Sequence, residues 1–212
     1  MNLVKSFVLS LTLVLAPQLG AVTVNLSNGW NLVSPVLAQA KAVGTFIEEH
    51  ASSCDITKIW EYSGGWTQYV PAGINQIGTI KPGQGYWFLV NGSCEITTND
   101  TTPGYSFAFS NQSGWKLVGS NSQADVQIDS TGLLNPANFS AGDASNIQKI
   151  WEYSKATNWR SWQPSGASSL NAMRPGYGYW MLLSTGGVSL DSSNSSLADL
   201  LPPVCPGCPP IQ

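Results

Sequence analysis

Charge and histidine are scarce in this chain, and their scarcity removes several functions at once. Lysine and arginine number nine against twelve acidic residues, for a formal charge of −3, and charged residues make up only 10% of 212. Binding a phosphate backbone requires clustered cations, so nucleic acid is not an expected partner. The single histidine, His50, and scattered carboxylates offer no ligand spacing, so neither a metal nor another cofactor is expected. No serine sits in a Gly-x-Ser-x-Gly context. His50, next to Glu48 and Glu49, reads as a solvated surface residue. Beyond the first twenty or so residues no hydrophobic run is long enough to cross a bilayer.

The opening stretch, MNLVKSFVLSLTLVLAPQLGA, places one cation, Lys5, before an uncharged apolar run over residues 7–16 and a break at Pro17. That run is about half the length of a membrane span, which is the layout of a cleavable signal peptide over residues 1–21. Leu19 and Ala21 suit a cut after Ala21. Removing Lys5 takes the formal charge from −3 to −4. The expected compartment is extracytoplasmic, whether secreted, periplasmic or at the cell surface.

An internal duplication carries most of the remaining information. Lys58-Ile-Trp-Glu-Tyr-Ser63 recurs unchanged as Lys149-Ile-Trp-Glu-Tyr-Ser154. Upstream, Gly29-Trp30-Asn-Leu32-Val33 answers Gly114-Trp115-Lys-Leu117-Val118; downstream, Lys81-Pro-Gly-Gln-Gly-Tyr-Trp87 answers Arg174-Pro-Gly-Tyr-Gly-Tyr-Trp180. The offset grows from 85 to 91 to 93, so the second copy holds six extra residues before its hexapeptide and two after it. Module one therefore covers residues 22–98 and module two residues 105–191, joined by a linker at 99–104. Residues 192–212 form a Ser- and Pro-rich tail, expected to be flexible, that ends in Cys205-Pro-Gly-Cys208.

The matched blocks are β-branched and aromatic runs bounded by Gly, Pro and Asn, which predicts strands. Gly64-Gly65 predicts a tight hairpin between Tyr62 and Trp66, enlarged in module two by Lys155-Ala-Thr-Asn158. Thr45-Phe-Ile-Glu48 has capping-box spacing, and Asn135-Pro136 could start a matching turn. The expected fold is mainly β: two tandem homologous small barrel-like or sandwich-like modules, each of about five strands and one short helix.

Cys54 aligns with Ser145 and Cys94 with Gly187, so both cysteines of module one are lost together in module two. Joint loss is what a bonded pair predicts in an oxidising compartment, and a Cys54–Cys94 disulfide is expected. Cys205 and Cys208 read most simply as a second, local disulfide, with a redox dithiol, half of a zinc site or an intermolecular crosslink as the alternatives.

Glu61 and Glu152 occupy matching positions, but neither copy holds a matched second acid. A glycosidase would need a composite site across both modules. A structural carboxylate that pairs with a neighbouring strand or a basic residue is the simpler reading. Among the nine tryptophans, the repeat-matched pairs Trp30 and Trp115, Trp60 and Trp151, and Trp87 and Trp180 are expected in the core. Strand alternation puts Trp60 and Tyr62 on one face, Ile59 and Glu61 on the other. The ligand-binding candidates are the aromatics near loops and one cation: Trp66, Tyr69, Trp159, Arg160, Trp162 and Tyr177. Flat rings suit the apolar face of a sugar, but Trp, Tyr and Arg also dominate protein interfaces or can cover the other module. Sequons at Asn91 and Asn138 arise readily in an Asn- and Ser-rich chain.

The succession of a GWNLV block, a KIWEYS block with a following Trp and a PGxGYW block resembles modules of secreted or surface proteins of bacteria. The resemblance covers nearly all of residues 22–183 and implies an extracytoplasmic β module, with no activity, cofactor or catalytic residue attached. The resulting expectation is a non-catalytic binding or adhesion protein with a glycan or envelope protein as partner. The alternative is a structural or assembly component whose aromatics are buried between the modules.

Overall fold

The computed structural model describes residues 20–100, 113–134, 144–184 and residue 207. Most of the leader, most of the linker, the turn at Asn135-Pro136, the sequon at Asn138, the tail and its two cysteines lie outside the described residues. Module one comprises β1 (Val22–Leu26), β2 (Gly29–Val33), β3 (Lys41–Ala42), α1 (Val43–His50), β4 (Asp55–Tyr62), β5 (Trp66–Tyr69), β6 (Thr79–Ile80), β7 (Tyr86–Asn91) and β8 (Cys94–Thr98). Module two comprises β9 (Gly114–Gly119), β10 (Val126–Gln127), β11 (Ile147–Ser154), β12 (Asn158–Trp162), β13 (Ala172–Met173) and β14 (Gly178–Leu183), with a 3-10 turn at Ala144–Asn146.

The two copies fold alike, as a mainly β, sandwich-like protein in which, among the described residues, no sheet closes into a barrel. Each contributes one four-stranded antiparallel sheet, ordered β2-β7-β4-β5 in module one and β9-β14-β11-β12 in module two. Each adds a two-residue ladder, β3 with β6 and β10 with β13, which raises the strand number above the expected five. Runs of two residues carry no readable alternation. These ladders keep the offsets of 85 and 93, so the six-residue insertion of module two falls between β10 and β11, where module one places α1. In module one, β1 pairs with β8 in register from Val22 opposite Thr98 to Leu26 opposite Cys94.

The longest strand of each sheet carries the same irregularity for the same reason. Ile56 and Ile59 are three residues apart, so a regular strand would send them to opposite faces. A register shift between Ile56 and Lys58 returns both to the module-one core, and a shift between Ile147 and Lys149 does the same for Ile147 and Ile150.

Helix α1 starts earlier than its capping-box spacing predicts. Ala42 is the N-cap and provides no side-chain cap, while Thr45 and Glu48 lie inside the helix. The β3–β6 ladder runs straight into the helix, and the Val43 N–H donates to the Gly78 carbonyl at 3.1 Å, so the backbone itself supplies a partner. His50 is not solvated as its acidic neighbours suggested. It is buried at the end of α1 with its ring 4.6 Å from that of Phe46. The helix turns it inward, four residues on from Phe46. Burial holds its pKa below 6.5, with Lys41 adding to the effect and Glu49 opposing it.

The disulfide joins Cys54 to Cys94, with Cα atoms 5.0 Å apart. It ties the lead-in to β4 to the first residue of β8. Among the described residues no helix is long and apolar enough to cross a membrane.

Candidate functional site

The faces of the two four-stranded sheets that carry the tryptophans meet each other. Leu32, Trp87, Leu117, Tyr153 and Trp180 form the buried centre of this seam, and Trp30, Trp60, Tyr62, Trp66, Trp115, Trp151 and Trp159 pack half-buried around it. The contacts obey an approximate twofold symmetry. Trp66 and Tyr62 of module one lie 5.8 and 5.2 Å from Trp180 of module two; Trp159 and Tyr153 of module two lie 6.1 and 5.5 Å from Trp87 of module one. These separations suit edge-to-face and tilted ring pairs. The indole N–H groups of Trp60 and Trp151 have no hydrogen-bond acceptor among the described residues. Their rings stand at 84° to Trp66 and Trp159 respectively, a geometry in which a ring face can receive an N–H.

Backbone contacts repeat the symmetry. Ser34 N–H donates to the Gly176 carbonyl at 2.9 Å, and Gly119 N–H, at the matching position, donates to the Gly83 carbonyl at 2.8 Å. Val33 bridges Tyr177 as Val118 bridges Gln84. An interface in which residue i meets j and the copy of j meets the copy of i is isologous, the arrangement of a twofold dimer within one chain. It also accounts for the second glycine of the PGxGYW block. A Cβ on Gly85 would stand 2.8 Å from the Val118 carbonyl oxygen, and one on Gly178 would stand 2.9 Å from the Val33 oxygen. Polar clamps flank the seam: Asn121 of module two bonds both the N–H and the carbonyl of Leu37, at 2.9 and 3.0 Å, and Lys155 donates to the Asn28 carbonyl at 2.7 Å.

The six candidate residues therefore separate into different roles. Trp66 and Trp159 are seam residues. Tyr69 and Trp162, at matching register opposite Ile59 and Ile150, lie half-buried against the core of their own module. Tyr177 touches both cores, with the Arg174 guanidinium stacked 3.9 Å from its ring centroid. Arg160 belongs to an ion-pair network.

That network centres on Glu152, which is fully buried. Arg160 donates through Nε at 3.1 Å and through Nη2 to Oε2, while Arg174 donates through Nη2 to Oε1. Burial alone would lower the Arg174 pKa, but the hydrogen bond and charge of Glu152 more than reverse it. In module one Glu61 is also buried yet, among the described residues, pairs with Lys81 alone, at 3.5 Å, with Thr67 standing where module two has Arg160. Next to each carboxylate, a buried tyrosine hydroxyl accepts from the backbone: Tyr86 from Lys81 N–H at 2.8 Å and Tyr179 from Arg174 N–H at 2.6 Å. Burial raises both phenol pKa values.

Glu61 and Glu152 thus face their own module cores, on the side of each sheet away from the seam. This is the pairing with a basic residue that their matched positions pointed to. Arg174 was within reach of sequence reasoning, because around one repeated glutamate the cation Lys81 is kept as Arg174 while Thr67 gives way to the added cation Arg160. Comparisons of the chain with protein-family models, curated proteins and solved structures find no match.

Proposed function

We propose that this chain is an extracytoplasmic, non-catalytic structural or assembly protein, in which two modules lock into one rigid body through their tryptophans. The observation that carries this reading is the seam: repeat-matched rings from each module reach a tryptophan of the other, so the aromatics are spent on holding the copies together. The disulfide fits an oxidising compartment. The resemblance of the three repeated blocks to modules of bacterial secreted or surface proteins points to the cell envelope. Lys58 and Lys149 lie over Trp60 and Trp151, at 5.6 and 4.7 Å from the ring centroids, where a sugar would have to stack. Among the described residues, the large apolar side chain left exposed is Ile74.

A second reading, adhesion to a glycan or an envelope protein, is favoured at one place. Trp162 lies outside the seam, partly buried against the module-two core on β12, two residues after Arg160. Pull-down of the mature protein on insoluble polysaccharides and on cell envelopes separates the two, with Trp66→Ala and Trp162→Ala as variants. The structural reading taken alone expects Trp66→Ala to lose stability and no polysaccharide to be retained. Retention that disappears with Trp162→Ala in a stable protein would add the second reading to it, with recognition by module two on a frame held by the seam.

A further inference from the structure

Module two surrounds its buried carboxylate with one cation more than module one does. Glu61, 7% exposed, has Lys81 as its one ion-pair partner among the described residues. Glu152 has two guanidiniums, a local charge of +1 in a chain whose formal total is −3. A guanidinium carries five N–H donors. Glu152 engages two from Arg160 and one from Arg174, and the Arg174 Nε–H is buried without an acceptor among the described residues. Both arginine side chains are partly exposed, at 26% and 33%. Tyr177 holds one side of the Arg174 plane. Trp162 follows Arg160 by two residues on β12 and so shares its face.

We propose that Arg160, Arg174 and Trp162 form a site for an anionic saccharide. The free guanidinium edges take a carboxylate through paired N–H donors, and the indole stacks on the apolar face of the sugar ring. Glu152 acts as a positioning residue, holding both arginines from beneath. The assignment rests on the second reading above, that module two recognises a glycan, and adds the sign of the ligand. Module one cannot duplicate it, because Thr67 and Tyr69 stand at the positions of Arg160 and Trp162.

Those same residues supply fold-compatible variants, Arg160→Thr and Trp162→Tyr, and Arg160→Thr leaves Glu152 its bond to Arg174. The test is calorimetric titration of the mature chain with a galacturonate trisaccharide, the matching neutral galactose trisaccharide and inorganic sulfate. The acidic sugar is expected to bind with an affinity that falls as salt rises, and Arg160→Thr to weaken it at least about tenfold, the weight of one charged hydrogen bond. Trp162→Tyr should weaken it less. Sulfate alone should bind more weakly than the sugar, because it leaves Trp162 unused. No binding of the acidic sugar at millimolar concentration, salt-independent binding, or unchanged binding by Arg160→Thr would each overturn the assignment. Equal binding of the neutral sugar would overturn the charge while leaving the glycan reading intact.

Discussion

Modules one and two share a frame but close it by different means. Module one staples its lead-in to β4 to β8 with a disulfide and folds α1 across its sheet; module two has no cysteine and buries a carboxylate completely under two arginines. Glu61 and Glu152 occupy one register position, yet the residue with more cationic partners is the one fully withdrawn from water. That is the order expected if desolvating a charge must be compensated locally. The largest effect should therefore separate the copies. Replacing Cys54 and Cys94 together by serine opens a sequence separation of 40, expected to cost about 4 kcal/mol on the loop-entropy scale. Urea unfolding measures it, and a midpoint unmoved by the double substitution would mean that the staple is not what distinguishes module one.

The seam, by contrast, should treat the copies as equals. Trp66 and Trp159 are matched in position, half-burial and cross-module partner. Truncating either to alanine is expected to cost about 3 kcal/mol, the low end for a large ring because neither is fully buried. The two losses should agree closely. A Trp159→Ala protein as stable as the parent, with Trp66→Ala strongly weakened, would break the twofold reading of the interface.

One matched pair cannot be symmetrical. Ser34 and Gly119 correspond in the repeat and face each other across the approximate axis, where a Cβ on Gly119 would fall 1.8 Å from the Ser34 hydroxyl oxygen and 2.0 Å from its Cβ. Only one side chain fits. Gly119→Ser is expected to destabilise by about 2 to 3 kcal/mol through overpacking. Adding Ser34→Gly should restore most of the loss, since the exchange recreates the same pair with its members reversed. Failure of the exchange to rescue would show that Ser34 is held in place by something other than the axis.

How far this arrangement could be read in advance depends on which physical signal each part leaves in the chain. The duplication, the sheets, the disulfide and the pairing of the buried glutamates all leave local traces: repeated blocks, alternation, joint loss of two cysteines. The seam leaves none of its own. Trp66 and Trp159 follow loops in the sequence, and loop proximity fits a ligand site and packing on the other module alike, since their burial depends on a partner surface from the other copy. The same holds for Gly85 and Gly178, whose reason is a carbonyl of the opposite module. His50 misled for a related reason: its sequence neighbours are acidic, but its helical neighbour four residues back is Phe46.

His50 yields the smallest and most specific difference between the modules, since it is the only histidine and belongs to module one. Burial holds its pKa in the folded protein below 6.5. Above that pH the imidazole is neutral whether the chain is folded or not, and its packing against Phe46 contributes fully. As pH falls below 6.5 the unfolded chain takes up the proton first, so stability declines until the folded-state pKa is passed, where the slope from this group ends. Carboxylates ordinarily titrate lower, which leaves the upper part of that window to the histidine. Thermal unfolding between pH 7 and pH 5 should therefore show a fall in Tm that His50→Gln flattens, at the cost of a lower Tm at pH 7. A slope unchanged by the substitution would mean that the ring is as well solvated in the folded module as in the unfolded chain.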